Sequence, residues 1–106
     1  MLDDQLMALL NIPVTWERYK RMDGAGAFEY HEPVVLLSYL SGEVKVVRDE
    51  KGEERMSTQT LYLDGEAAAK VSQRDRFTLP GGQHHMVLAI QAHWFDGELN
   101  MVEVSL

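Results

Sequence analysis

The chain has 106 residues, 45% of them hydrophobic, a formal net charge of −7 and no cysteine. That length suits one domain, residues 1–106, with a small but real core. The absence of thiols excludes disulfides, thiolate zinc sites and cysteine nucleophiles, and the acidic balance argues against a surface that grips nucleic-acid phosphates, which takes clustered Lys and Arg.

Leu2, Leu6, Leu9 and Leu10 recur at helical spacing, with Asp3 or Asp4 placed to cap the first turn and Pro13 to end it, which predicts a short amphipathic N-terminal helix. Such a helix can cover the open end of a barrel or dock on a neighbouring subunit. The segment has no basic n-region, and no apolar run approaches the roughly 18 residues of a membrane span, so the expectation is a soluble, unprocessed intracellular protein. Val14 to Lys20 alternates as a first strand with Trp16 in the core. Residues 21–33 hold two glycines, several acids and a closing proline, and read as a long loop rather than an element. Phe28 and Tyr30 within it either pin the loop to the body or contact a partner.

The stretch from Pro33 to Leu63 organises the rest. Two β-rich runs flank a charged tip, Arg48, Asp49, Glu50, Lys51, Gly52, Glu53, Glu54 and Arg55, which is a hairpin signature with Gly52 free to take the positive φ of a short turn. Arms of roughly seven residues reach about 23 Å, more than one core layer needs, so the hairpin is expected to project. Its tip lacks large apolar residues and is expected to be mobile in the isolated chain.

Further along, Asp64-Gly65-Glu66 breaks the alternation, and residues 67–70 suit one helical turn. Arg76 to Leu79 forms a short strand, and Pro80-Gly81-Gly82 turns the chain into a strand over residues 83–93, with Met86, Leu88, Ile90 and Ala92 facing the core. Asp96-Gly97 supplies a last turn before a C-terminal strand that buries Val102, Val104 and Leu106. The fold class is mainly β: a small antiparallel barrel or sandwich of about six strands, with a short N-terminal helix and a long projecting hairpin.

Four histidines raise the question of a metal, but the spacing opposes it. His84 and His85 are strand neighbours pointing to opposite faces, and His85 lies about 27 Å from His93 along an extended strand. No metal or cofactor is expected. The carboxylate pairs Asp3-Asp4, Asp49-Glu50 and Glu53-Glu54 sit in polar surroundings as solvated surface charge rather than as acid/base machinery. There is no GxSxG, phosphate-binding glycine loop or HExxH, so nothing points to an enzyme.

The order of the pieces says more than any one of them. A strand enters after a proline, a charged DxxG tip follows, and a Ser/Thr-rich return strand ends in Leu61-Tyr62-Leu63. Next come the D-x-hydrophobic-x-L-P strand of Asp75 to Pro80 and a terminal FDGELNMVEVSL. Over about Val14 to Leu106 this resembles the small head-completion proteins of tailed bacteriophages, also called head-tail connector, head-closure or stopper proteins. The leading helix and the Gly-Ala-Gly loop depart from what that pattern requires.

The resemblance implies a non-enzymatic virion protein at the head-tail junction, present in the host cytoplasm during assembly. It would form a ring with itself below the portal and adaptor proteins, close the DNA exit channel and offer a docking surface to tail proteins. DNA would pass without specific binding, and no membrane is involved. The tip residues 48–55 would face the channel, and Phe28, Tyr30, Trp94 and Phe95 are candidate partner contacts. Tail-completion, tail-terminator and minor capsid proteins share this size and character. A small β-barrel protein-binding module stands as an alternative of another class, and a metal-assisted enzyme as a third. Because nothing outside the expected core reads as a large apolar patch, a monomer or weak associate is expected in isolation.

Overall fold

Alternation in the sequence becomes antiparallel strands throughout the computed structural model, which describes residues 10–106. Residues 1–9 of the predicted N-terminal helix lie outside the described residues; of its remainder, Leu10 is buried outside any helix or strand, and Ile12 and Pro13 already belong to β1. The strands are β1 (Ile12–Glu17), β2 (Tyr19–Met22), β3 (Phe28–Tyr30), β4 (Val34–Ser41), β5 (Lys45–Arg48), β6 (Glu54–Ser57), β7 (Thr60–Asp64), β8 (Arg76–Thr78), β9 (His84–Met86), β10 (Ala89–Phe95) and β11 (Glu98–Ser105). The helix α1, Gly65–Ala68, is a single turn between β7 and β8. It starts two residues before the segment the sequence suggested. There the backbone of Leu99 leaves no room for a Cβ on Gly65, so the chain must turn on a glycine.

Seven strands form one curled half-barrel sheet in the order β10-β11-β7-β4-β1-β8-β9. Its two outermost strands are consecutive in the chain, joined only by Val87 and Leu88. Val87 N–H donates to the Asp75 carbonyl beside β8 at 3.2 Å, and Leu88 N–H donates to the Ser105 carbonyl on β11 at 2.8 Å. This two-residue link therefore spans a seam where the edges of the sheet approach each other. The inner face carries Val14, Trp16, Leu61, Leu63, Phe77, Val87, Val102 and Val104, with Ala68, Leu79 and Leu106 closing the core.

Trp16 and Val104 are buried as the sequence suggests, but Met86 is 40% exposed while Val87 is buried, and Leu88 and Ile90 are only partly so. The expected strand over residues 83–93 breaks at Val87–Leu88, which moves the inward phase from Met86 to Val87. Residues 21–33 are also more ordered than a loop. β2 and β3 pair as a small hairpin, closed by the Asp23 carboxylate, which accepts from Ala25 N–H at 2.8 Å and Ala27 N–H at 2.9 Å.

One polar anchor holds the wall of the barrel. Asp75, 2% exposed, accepts from Trp16 Nε1–H at 2.8 Å, Tyr19 N–H at 2.7 Å, Ser72 N–H at 2.8 Å and Ser72 Oγ–H at 3.0 Å. A buried carboxylate needs such a set of donors. Through it, β1, the start of β2 and the approach to β8 are tied at a single point.

Candidate docking surfaces

The charged tip closes on hydrogen bonds of its own. Asp49 Oδ1 accepts from Lys51 N–H at 2.9 Å and Glu53 N–H at 3.0 Å, while Oδ2 accepts from Arg55 Nε–H at 3.0 Å. Gly52 takes φ 77° and its carbonyl accepts from Arg48 at 2.9 Å. Burial pushes the Asp49 carboxyl up, but the hydrogen bonds from Arg55, Glu53 and Lys51 outweigh it and leave the pKa below the ordinary value. The other acids have partners too: Glu53 lies 3.6 Å from Arg55, Glu54 3.8 Å from Arg48, and Glu50 3.5 Å from Arg74.

β5 and β6 pair over four residues each, fewer than the roughly seven expected, and form a ribbon separate from the main sheet, whose β4 and β7 pair directly. The ribbon runs along the seam. A cavity of about 290 Å³ lies between the tip (Asp49, Glu50, Lys51, Arg55) and Arg74, Met86, Val87 and Leu88. A second of about 440 Å³ lies between β5 and residues Ala89, Ile90, Gln91 and Glu103. At the ribbon's base Lys45 Nζ donates to Glu103 Oε2 at 2.7 Å, and His93 Nε2 is 3.4 Å from Glu103 Oε1. Burial raises the Glu103 carboxyl, yet the Lys45 hydrogen bond and charge, with His93, bring it below its usual value. The hydrogen bond to Glu103 in turn raises Lys45. The ribbon's body side carries Lys45, Val47 and Asp49, and its outward side leaves Val46 and Met56 63% and 67% exposed.

Tyr30 holds the β2–β3 hairpin to the body, whereas the ring contact of Phe28 lies within the hairpin. Phe28 on β3 packs against Tyr19 on β2 with centroids 5.0 Å apart and ring planes tilted by 55°, and Arg76 on β8 lies 4.4 Å above the Tyr30 ring while holding Glu17 by two hydrogen bonds. Trp94 and Phe95 behave differently. They end β10 beside the Asp96–Gly97 turn, where φ values of 52° and 80° give the two-residue turn that the Asp-Gly pair announces. A register shift after His93 lifts this tip, and Trp94 and Phe95 are 65% and 76% exposed although successive strand residues face opposite ways.

A second apolar surface went unread in the sequence. On the outer face of β4, Val35, Leu37 and Tyr39 are 66%, 56% and 49% exposed. Pro13 on β1 lies opposite Leu37, and Tyr62 on β7 lies opposite Tyr39 with ring centroids 5.9 Å apart. This row corrects the expectation that no apolar patch lies outside the core. The signal was present, because residues 34–37 are apolar in both strand phases, the pattern of a strand covered on both faces.

The histidines do not converge. His84 pairs across from Thr78 and His85 from Phe77, on opposite faces. Among the described residues no group of three His, Asp or Glu side chains is placed to hold a metal ion. Nor, among them, is any helix long and apolar enough to cross a membrane. Compared with known proteins, the chain matches no family model and no curated sequence.

Proposed function

We propose that this chain is a structural subunit of the head-tail connector of a tailed bacteriophage, adding as a ring below the portal and adaptor to retain DNA and receive the tail. The observation that carries the reading is the Trp94–Phe95 tip: two large aromatics exposed to water at the end of a paired hairpin suit a surface that assembly covers. Three further features support it. The mainly β half-barrel has the character of the family that the sequence resembles. The D-x-hydrophobic-x-L-P segment acquires a physical reason, since Asp75 ties three parts of the wall together and Leu79 leads into the Pro80-Gly81-Gly82 turn. A net charge of −7 keeps packaged DNA from adhering to the subunit.

The test is fractionation of particles from the phage or prophage that encodes the chain. The protein is expected on DNA-filled heads and in complete virions. Recovery with isolated tails would assign it to tail completion instead, and its absence from every particle, with a stable complex formed outside them, would leave a protein-binding module.

A further inference from the structure

We propose that two copies of this chain pair edge to edge along β10, antiparallel and symmetric about Ala92, so that the Trp94–Phe95 tip of each enters the cavity between β5 and β10 of the other. The contact goes beyond the connector reading and does not rest on it.

The main sheet ends in β9 at one side and β10 at the other, and among the described residues neither strand pairs with a further strand on its outer edge. Folded proteins guard such edges by keeping them short or by placing charge, proline or a bulge on them. β9 is short, at three residues. β10 has seven, with no proline, carboxylate, lysine or arginine among them. Its register shift does not guard it either: His93 and Trp94 face Met101 and Leu99, which puts the extra residue, Asn100, on β11 and leaves β10 regular to its end. Since every copy carries −7, an edge without acidic residues is where a second copy can approach.

The residues of β10 select both partner and register. From Ala89 to Phe95 the order is two apolar, one polar, one apolar, one polar and two apolar, which reads the same in both directions. An antiparallel pair centred on Ala92 sets Ala89 against Phe95, Ile90 against Trp94 and Gln91 against His93, so apolar meets apolar and polar meets polar at every position. A shift of one residue would set inward side chains against outward ones, and a shift of two would set Ala89 against His93 or Gln91 against Phe95. Such a palindrome suits a partner that carries the same edge, and the axis is that of a symmetric dimer.

The same register places the tips. The cavity of about 440 Å³ touches three consecutive residues of β5, Lys45, Val46 and Val47, and three of β10, Ala89, Ile90 and Gln91. Because successive strand residues face opposite ways, a cavity that meets all three of a run opens along the strand edge. Opposite Ala89 and Ile90 the symmetric pair brings the partner copy's aromatic tip. The carboxylate in that cavity is already answered, since Glu103 accepts from Lys45 at 2.7 Å. The exposure of Trp94 and Phe95 on opposite faces follows too, because an added strand covers both faces of an edge at once. The pair closes at two copies and leaves no open β10 edge for a third. On the connector reading it is the form of the free subunit, and the particle takes the place of the second copy.

Sedimentation of the full chain over a range of concentrations tests the contact. The variants are Ala92→Lys, Ala92→Glu, a tip variant (Trp94→Ser with Phe95→Ser) and a control, Val35→Lys, that puts the same charge on the outer face of β4. All these positions are exposed, and thermal unfolding checks that each variant folds. The wild type and the control are expected to rise from 12.1 kDa to twice that mass and no further. Ala92 lies opposite itself, so either charge there meets its like across the axis, and both Ala92 variants should stay monomeric, as should the tip variant. Mixed one to one, the Lys and Glu variants should regain the doubled mass. A wild type that stays at 12.1 kDa or grows past two copies overturns the contact, as do an Ala92 or tip variant that pairs normally, a mixture that fails to pair, or a control that loses pairing. Particle fractionation is read separately: a doubled mass in a protein absent from virions would sink the connector reading and leave the pair standing, and a monomer found on filled heads would do the reverse.

Discussion

Four donors converge on the Asp75 carboxylate, and none of them carries a charge. Asp75→Asn keeps the shape but replaces one oxygen with an amide that faces a donor. The variant should lose about 3 kcal/mol in urea unfolding, because a buried donor left without its acceptor forfeits its desolvation; a loss under about 1 kcal/mol would show that the donors find water instead. The Lys45–Glu103 pair makes a second, pH-dependent contribution. Glu103 has a folded pKa below its unfolded one, so its contribution is present above the unfolded carboxylate value of about 4.3 and is lost as pH falls through the folded value. Lys45 is raised, so its share is present below about 10.4 and is lost as pH rises through the folded value. With side chains 30% and 14% exposed, Lys45→Met should cost about 1 to 2 kcal/mol at neutral pH. Urea titrations of wild type and variant should converge in acid; a gap that persists after Glu103 is protonated would assign the loss to packing of the lysine stem.

At the scale of elements, the Val87–Leu88 link decides which side chains meet the core. Val87→Ala should destabilise by about 2 kcal/mol through lost burial and a cavity, whereas Met86→Ala, at 40% exposure, should stay under about 1 kcal/mol. Equal losses at the two positions would return the inward phase to Met86. The turns were legible because each needs a residue that tolerates positive φ: Gly52, Gly81, Gly82 and the Asp96–Gly97 pair all stand where the sequence placed a turn. The link was not, because alternation runs through residues 83–93 with no glycine or proline to mark a slip of phase. The β2–β3 hairpin was hidden for a related reason, since its closure depends on the Asp23 side chain rather than on residues typical of strands. The charged tip was readable as a turn, but its partner Arg74 is distant in sequence, so the ribbon's course along the seam required the fold. The aromatic tip was visible as residue types, and its exposure followed only from the register shift after His93.

For the whole molecule, the remaining matter is whether the ribbon tip acts on DNA. Four acids against three bases in residues 48–55 leave one net negative charge, and each acid already has a basic neighbour within 4 Å. A single copy is thus a weak barrier to phosphates, with a reach of about 8 Å at physiological salt. A ring that faces several tips inward concentrates that charge and narrows the channel sterically, which makes the tip's effect a property of the assembly. Replacing residues 49–55 with a short Gly-Ser turn removes charge and bulk together. The barrel should survive, because the core residues belong to the main sheet, α1 and the segments flanking them, while among the described residues β5 and β6 form strand pairs only with each other, and the Lys45–Glu103 tie lies outside the replaced segment. The loss of the Glu50–Arg74 contact is minor at side-chain exposures of 41% and 49%. On the connector reading proposed above, the same replacement in the phage should leave the protein on filled heads while those heads leak DNA or fail to join tails. Normal yield with full DNA retention would show that the tip gates nothing, and would leave the Trp94–Phe95 hairpin as the working surface of the subunit.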